Sequence, residues 1–204
     1  TDHRCVARLR ELTDAMTVVQ LSLVVLWAGS AVLVGVRRRT ERTAPVMLAI
    51  ACLAALGMLA AAADRRAAAV VVVALLAACT LHLMAALPTG RPPSRGVTTL
   101  VVVGYVTAAG LGLLAAATGP ESDNWIVGLT WAAALVVGMR LANLRYRTAS
   151  PAVRRRMQWA GWALAVVLEV MLVVVALRLM VHWPPHATAV VLAATGLVPL
   201  SIVA

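Results

Sequence analysis

Residues 46–87 read VMLAIACLAALGMLAAAADRRAAAVVVVALLAACTLHLMAAL, two apolar runs parted only by Asp64, Arg65 and Arg66. Crossing the ~30 Å hydrocarbon core of a bilayer takes about 20 helical residues, and each run comes close to that length. Three adjacent charges end a span, so the interruption reads as a tight hairpin between two membrane helices. A count of six spans remains open if this division fails. The pattern continues on both sides, and seven runs qualify or nearly qualify: 15–36, 46–63, 67–87, 97–118, 126–144, 157–181 and 187–204. The expected fold class is therefore an all-α integral membrane protein, a seven-transmembrane-helix bundle of residues 15–204 behind an extracytoplasmic leader at 1–14.

Composition supports this reading. Of 204 residues, 62% are hydrophobic and 13% charged, with a mean hydropathy of +0.92. A soluble domain of this size needs a wider polar surface. The 18 basic residues are all arginine against 8 acids, a net charge of +10. On a soluble chain that excess would point to nucleic acid, but these arginines sit between apolar runs as loop charges, which argues for no nucleic-acid partner. With no lysine in the chain, a retinal Schiff base cannot form and a retinal photoreceptor is excluded. Cys5, Cys52 and Cys79 have neither disulfide nor metal-ligand spacing and read as small hydrophobes.

Orientation follows from alternate loops. Loops 37–45, 88–96 and 145–156 hold eleven arginines: Arg37, Arg38, Arg39, Arg42, Arg91, Arg95, Arg145, Arg147, Arg154, Arg155 and Arg156. The leader and the other loops hold five: Arg4, Arg8, Arg10, Arg65 and Arg66. The positive-inside rule places the richer set in the cytoplasm, with the N-terminus outside, the C-terminus inside and the chain multi-pass in the plasma membrane. Trp125 and Trp183 then mark outer ends, and Tyr146, Trp159 and Trp162 inner ones. The first run is alternatively a signal sequence, because Ala28-Gly29-Ser30 offers a small-residue cleavage site. The outer loops are too short to bind a large soluble ligand, so a stimulus is small or arrives through the bilayer. The basic inner loops suit anionic lipid headgroups.

Few residues offer chemistry. Glu169 lies about 18 Å into the sixth run, near the midplane, where an ionisable group is costly and faces a partner or the bundle interior. Arg178 is about 900° further round the helix, on the opposite face, and is not its partner. Tyr105 and Thr107 lie at similar depth on the fourth run, and Arg140 near the inner end of the fifth, so these three are the candidate partners of Glu169. His82, beside Thr80, is a candidate ligand or a hydrogen-bonded structural group. His182 and His186 bracket Trp183-Pro184-Pro185, with no third ligand in view for a metal. Gly104, Ala108 and Gly112 form a small stripe suited to close helix packing. No nucleophile triad, paired carboxylates, zinc-helix motif or phosphate-cradling glycine loop appears, and no cofactor or metal is expected.

Two cytoplasmic loops carry a resemblance. Leu87-Pro88-Thr89-Gly90-Arg91-Pro92-Pro93-Ser94-Arg95 is a helix stop followed by a Pro/Gly turn. It resembles the aromatic-Pro-Asp/Thr-Gly-Arg-Leu/Pro-Pro-Ser turn in the N-terminal membrane regions of actinobacterial sensor histidine kinases, with Leu87 in place of the usual Phe. The second loop, Arg145-Tyr146-Arg147-Thr148-Ala149-Ser150-Pro151-Ala152-Val153-Arg154-Arg155-Arg156-Met157-Gln158-Trp159, is similar to that family's Arg-Tyr-Arg-x-Ala-Ser-Pro-x-Glu-Arg-Gln-Gln-Leu-x-Trp segment. Val153 stands for the usual Glu, and Arg155 and Arg156 for the Gln pair. Ser150 before Pro151 reads as the N-cap of the sixth helix. Gly196-Leu197-Val198-Pro199-Leu200-Ser201-Ile202 resembles the family's last span before its cytoplasmic domains.

The resemblance implies a sensory input region of a histidine kinase-like, two-component signalling protein, coupled in cis to a cytoplasmic module and open to homodimerisation. Its stimulus would be lipidic, membrane-soluble or a state of the bilayer. Neither a phosphoacceptor histidine helix nor an ATP-binding domain lies within these residues, so whether the parent is an enzyme stays open. The alternatives are a small transporter or permease and a membrane anchor or assembly partner.

Overall fold

A computed structural model of the chain describes residues 3–38, 42–87, 89–181, 183 and 187–203, with side chains from residue 16 onward except 120–124. About 90% of the chain is helical, and among the described residues there is no strand. The order is α1 (His3–Arg37), α2 (Thr43–Ala62), α3 (Arg66–Ala86), α4 (Arg95–Thr118), α5 (Pro120–Thr148), α6 (Pro151–Val181), α7 (Ala187–Thr195) and α8 (Leu197–Val203). Six of these, α1 to α6, contain a stretch long and apolar enough to cross a membrane. Pro88, Glu41, His182, His186 and the 184–185 proline pair lie outside the described residues.

The α2–α3 connection is the tight turn expected at Asp64. Arg65 N–H donates to Ala60 O at 2.8 Å and Asp64 N–H to Ala61 O at 3.1 Å, the paired bonds that satisfy the last carbonyls of a helix. This closure needs a left-handed residue, and Asp64 takes it with φ 54°. Aspartate tolerates that region better than most residues, and it also places a charge outside the hydrocarbon.

α3 is the centre of the bundle, packed against α2, α4 and α5. The α3–α4 approach is close because α4 presents the small stripe to it. A Cβ on Gly112 would stand 2.9 Å from Val71 Cα, a backbone atom that cannot step aside, and Ala108 between the two glycines is buried. A main core cluster joins Ala31 and Val34 of α1, Val46, Met47 and Ile50 of α2, Cys79 and Leu83 of α3, and Ile202 of α8. α1 therefore packs on α2 and on the α7–α8 segment. α6 lies at the edge, packed mainly on α7 and α8 with only slight contact to α5, and it is the least covered of the long helices.

The last apolar run differs from the expected continuous span. It breaks at Gly196 into α7 and α8. Pro199 supplies the reason, because it has no N–H to donate to the carbonyl of Thr195 and its ring crowds that carbonyl. Glycine at 196 adds a position of poor helix propensity.

Candidate functional site

The arginine-rich segments meet at one end of the bundle. The α3 helix ends at Ala86, and Leu87 turns the chain into extended conformation (φ −58°, ψ 144°). The chain then reverses through Gly90, whose N–H donates to Ala86 O at 2.8 Å and whose φ is +74°. Gly90 is also where another backbone passes, since a Cβ there would collide with Arg42 and Thr43. Arg42 N–H donates to Thr89 O at 3.0 Å, so the start of α2 is pinned to the turn, and Thr43 is buried beneath it. Ser94 ends the turn as the N-cap of α4, its Oγ accepting from Val97 N–H at 3.3 Å.

Arg145, near the end of α5, clasps this turn from the other side. Its Nη1 donates to Ala85 O at 3.1 Å and to Arg91 O at 3.2 Å, and its Nη2 donates to Thr89 Oγ1 at 2.9 Å. One planar guanidinium thus satisfies the last turn of α3 and two residues of the following loop, which a single ammonium could not match in geometry. These three acceptors carry no formal charge. The clasp joins the two segments that carry the family resemblance, one around Thr89-Gly90-Arg91 and one beginning at Arg145.

The rest of the second segment folds back on itself. Ser150 O accepts from Arg154 N–H at 2.8 Å, the first backbone bond of α6, as its place before Pro151 leads one to expect. Gln158 Nε2 donates to Tyr146 Oη at 2.9 Å, and the Arg154 guanidinium lies 5.2 Å from the centre of the Tyr146 ring. Tyr146 therefore staples the end of α5 to the start of α6, while Arg147, Ser150, Pro151 and Trp159 are exposed.

Deeper in the bundle, Tyr105 is half-buried and its hydroxyl donates to Cys79 Sγ at 3.3 Å. His82 Nδ1 lies 3.2 Å from the same oxygen, with the two rings edge to face. With the hydroxyl proton directed to sulfur, His82 presents Nδ1–H to the tyrosine oxygen. Cys79 and His82 stand three residues apart on one face of α3, and Tyr105 reaches them from α4. Cys79 is thus a hydrogen-bond acceptor as well as a core residue, a role that the helical spacing Cys79–His82 could have signalled.

Glu169 is not part of this group. It is exposed on α6, and among the described residues it has no hydrogen bond or ion pair. Thr107 and Arg140 are exposed on α4 and α5 and do not reach it. The expected meeting of Glu169 with Tyr105, Thr107 or Arg140 does not occur, because α6 packs on α7 and α8 rather than on α4. Among the described residues, no three His, Cys, Asp or Glu side chains come together as metal ligands. The fold and this site define a multi-helix protein of membrane type, with an arginine clasp at one end and a polar trio inside. No protein-family model, no curated protein and no solved structure matches the chain.

Proposed function

We propose that the chain is the membrane-embedded sensory input region of a histidine kinase-like signalling protein, a seven-span unit of the plasma membrane with its arginine-rich end in the cytoplasm. The observation that carries this reading is the Arg145 clasp, which unites the two loop segments similar to those of sensor kinase membrane regions. In a plain anchor the two loops need no shared geometry. In a sensor they form the rigid end against which a mobile helix transmits. The α7–α8 segment is the natural transmitter, since it is jointed at Gly196, lies between α1 and α6, and leads back to the cytoplasmic end.

In this mechanism a lipidic, membrane-soluble or bilayer-state stimulus acts on α6, whose apolar surface and Glu169 face outward, and changes how α6 packs on α7 and α8. The two states must differ in those contacts for a ligand to bias them. Glu169 is the switch candidate because its charge state, or a partner that pairs it, would alter the depth and packing of α6. The test is signalling by the full-length parent carrying Glu169→Gln or Glu169→Ala. Unchanged output across stimulus and pH would remove Glu169 from the mechanism, and a downstream reading frame lacking any signalling domain would remove the class.

One observation favours a transporter as the second reading. Discontinuous helices are a feature of transport sites, and the last apolar run is discontinuous. Saturable flux into proteoliposomes, lost on straightening the break with Pro199→Ala, would select that reading.

A further inference from the structure

α6 is packed along one side and bare along the other. It meets mainly α7 and α8, and beyond Met157 its buried residues are Ala163 and Val174. At about 100° per residue, Glu169 lies about 120° round the helix from Ala163 and about 140° from Val174, away from the packed side. Gly161, Ala165, Leu172 and Ala176 stand along the same outward line, all exposed. No atom outside α6's own backbone comes within 4 Å of where a Cβ on Gly161 would stand. Glu169 itself has no hydrogen bond or ion pair among the described residues. We propose that this line of α6 is an interface with a second copy of the chain, in which the two Glu169 carboxyls meet on a two-fold axis along the membrane normal and hold a proton between them.

The carboxyl selects the occupant. At its depth it needs a hydrogen-bonding partner, and hydrocarbon chains supply none. A protonated carboxyl is donor and acceptor at once, so a pair of them is self-complementary. Two copies inserted with one topology carry Glu169 at the same depth, and a two-fold axis sets identical residues opposite each other. A helix of another protein would have to place a polar group at this one level by its own sequence.

The neighbouring residues set the distance. Gly161 and Ala165, four positions apart, form the pattern of small residues that lets two membrane helices bring their backbones together, and Glu169 is the next position on that line. Leu172 and Ala176 continue it, so that the line from Gly161 to Ala176 runs about 22 Å, most of the hydrocarbon thickness. This inference is independent of the signalling reading. It requires only that α6 cross a membrane.

The experiment is association of the full chain in phosphatidylcholine vesicles, read as energy transfer between donor-labelled and acceptor-labelled copies while the lipid-to-protein ratio rises. The expected result is a dimer whose association weakens about ten-fold in Glu169→Leu and in Gly161→Leu. Both positions face outward from the bundle, so each variant keeps the helicity of the parent chain. Glu169→Gln retains association within about three-fold, because an amide is also donor and acceptor. In a Cys5→Ser/Cys52→Ser background, Leu172→Cys cross-links to its own copy on oxidation, whereas Val106→Cys, on the exposed side of α4, does not. A chain that is monomeric at every dilution overturns the proposal. So does a dimer indifferent to both leucine variants, or one cross-linked through Val106→Cys as readily as through Leu172→Cys. Loss in Glu169→Gln equal to that in Glu169→Leu overturns it as well, by showing that Glu169 pairs with a cation and not with its own copy.

Discussion

Arg145 Nη2 donates to Thr89 Oγ1 over 2.9 Å, across 56 positions of sequence, and thereby fixes the end of α5 to the loop between α3 and α4. The same guanidinium also holds Ala85 O and Arg91 O, so its loss would leave two carbonyls and a hydroxyl to find other partners.

Replacing Arg145 with Gln should therefore cost about 2–3 kcal/mol of bundle stability, in line with charged hydrogen bonds to a half-buried group. Arg145→Lys should recover only part, because one ammonium cannot reproduce the fork. Thr89→Val should cost about 1 kcal/mol, and the double variant less than the sum, by about 0.5–1 kcal/mol of coupling. Unfolding equilibria in detergent micelles measure all four, and strict additivity would show that the two side chains do not interact.

Gly90 meets two demands at once, a positive φ and the passage of the Arg42–Thr43 backbone. Gly90→Ala should cost more than the roughly 1–2 kcal/mol of left-handed backbone alone. Gly90→Asn separates the two demands. Asparagine tolerates the φ but not the crowding, so it should be as damaging as alanine. Recovery by asparagine in a thermal melt would mean that the neighbouring backbone can move.

Tyr105→Phe removes the hydroxyl shared by Cys79 and His82 while keeping the ring. Interhelical hydrogen bonds in membrane bundles average about 0.6 kcal/mol, so the expected loss is near 1 kcal/mol. His82→Ala in the Tyr105→Phe background should cost little beyond its lost packing. A double-mutant cycle on unfolding checks this.

Glu169→Gln should leave stability unchanged or raise it, since no partner is lost and a carboxylate near the midplane costs about 3 kcal/mol on insertion scales. That makes the substitution a clean probe. A change in signalling without a change in melting would locate the effect at the carboxyl itself, whereas a large fall in stability would mean that α6 buries this face against something.

Pro199→Ala restores an N–H opposite Thr195 O and should extend helical bonding through residues 195–199. Slower amide exchange across those residues, with a straighter α7–α8 by spin-label distances, is the expected outcome. Unchanged exchange would place the cause of the break at Gly196 alone.

Much of the architecture was readable from residue types. The Asp64 interruption is a turn, the small stripe of α4 is the close contact with α3, and a helix begins at Ser150–Pro151, where a proline suits the first turn. Helix depth could be counted, which put Glu169 near the midplane. Its azimuth could not. On a membrane helix the outward face is as apolar as the inward one, so no contrast in hydropathy tells which side of α6 meets its neighbours. The same uniformity hid the central position of α3 and the edge position of α6. The break at 195–196 is a different case, since Gly196 and Pro199 both mark it in the residues, and the apolar run masked their local effect. The Arg145 clasp was invisible for another reason. Eleven arginines served equally well as topology markers, and only the path of the 87–94 turn selects the one that reaches Thr89.

The bond from Arg38, the residue after α1, to Ile202 O of α8 spans 164 positions, and α1 and α8 share the main core cluster. α1 precedes and α8 follows all the other helices described here. The inner face of α1 must then wait, covered by lipid or by the insertion machinery, through the synthesis of five other long helices. Closure of the bundle thus waits for its last helix, and quality control that samples the chain before residue 197 meets a structure still open along α1.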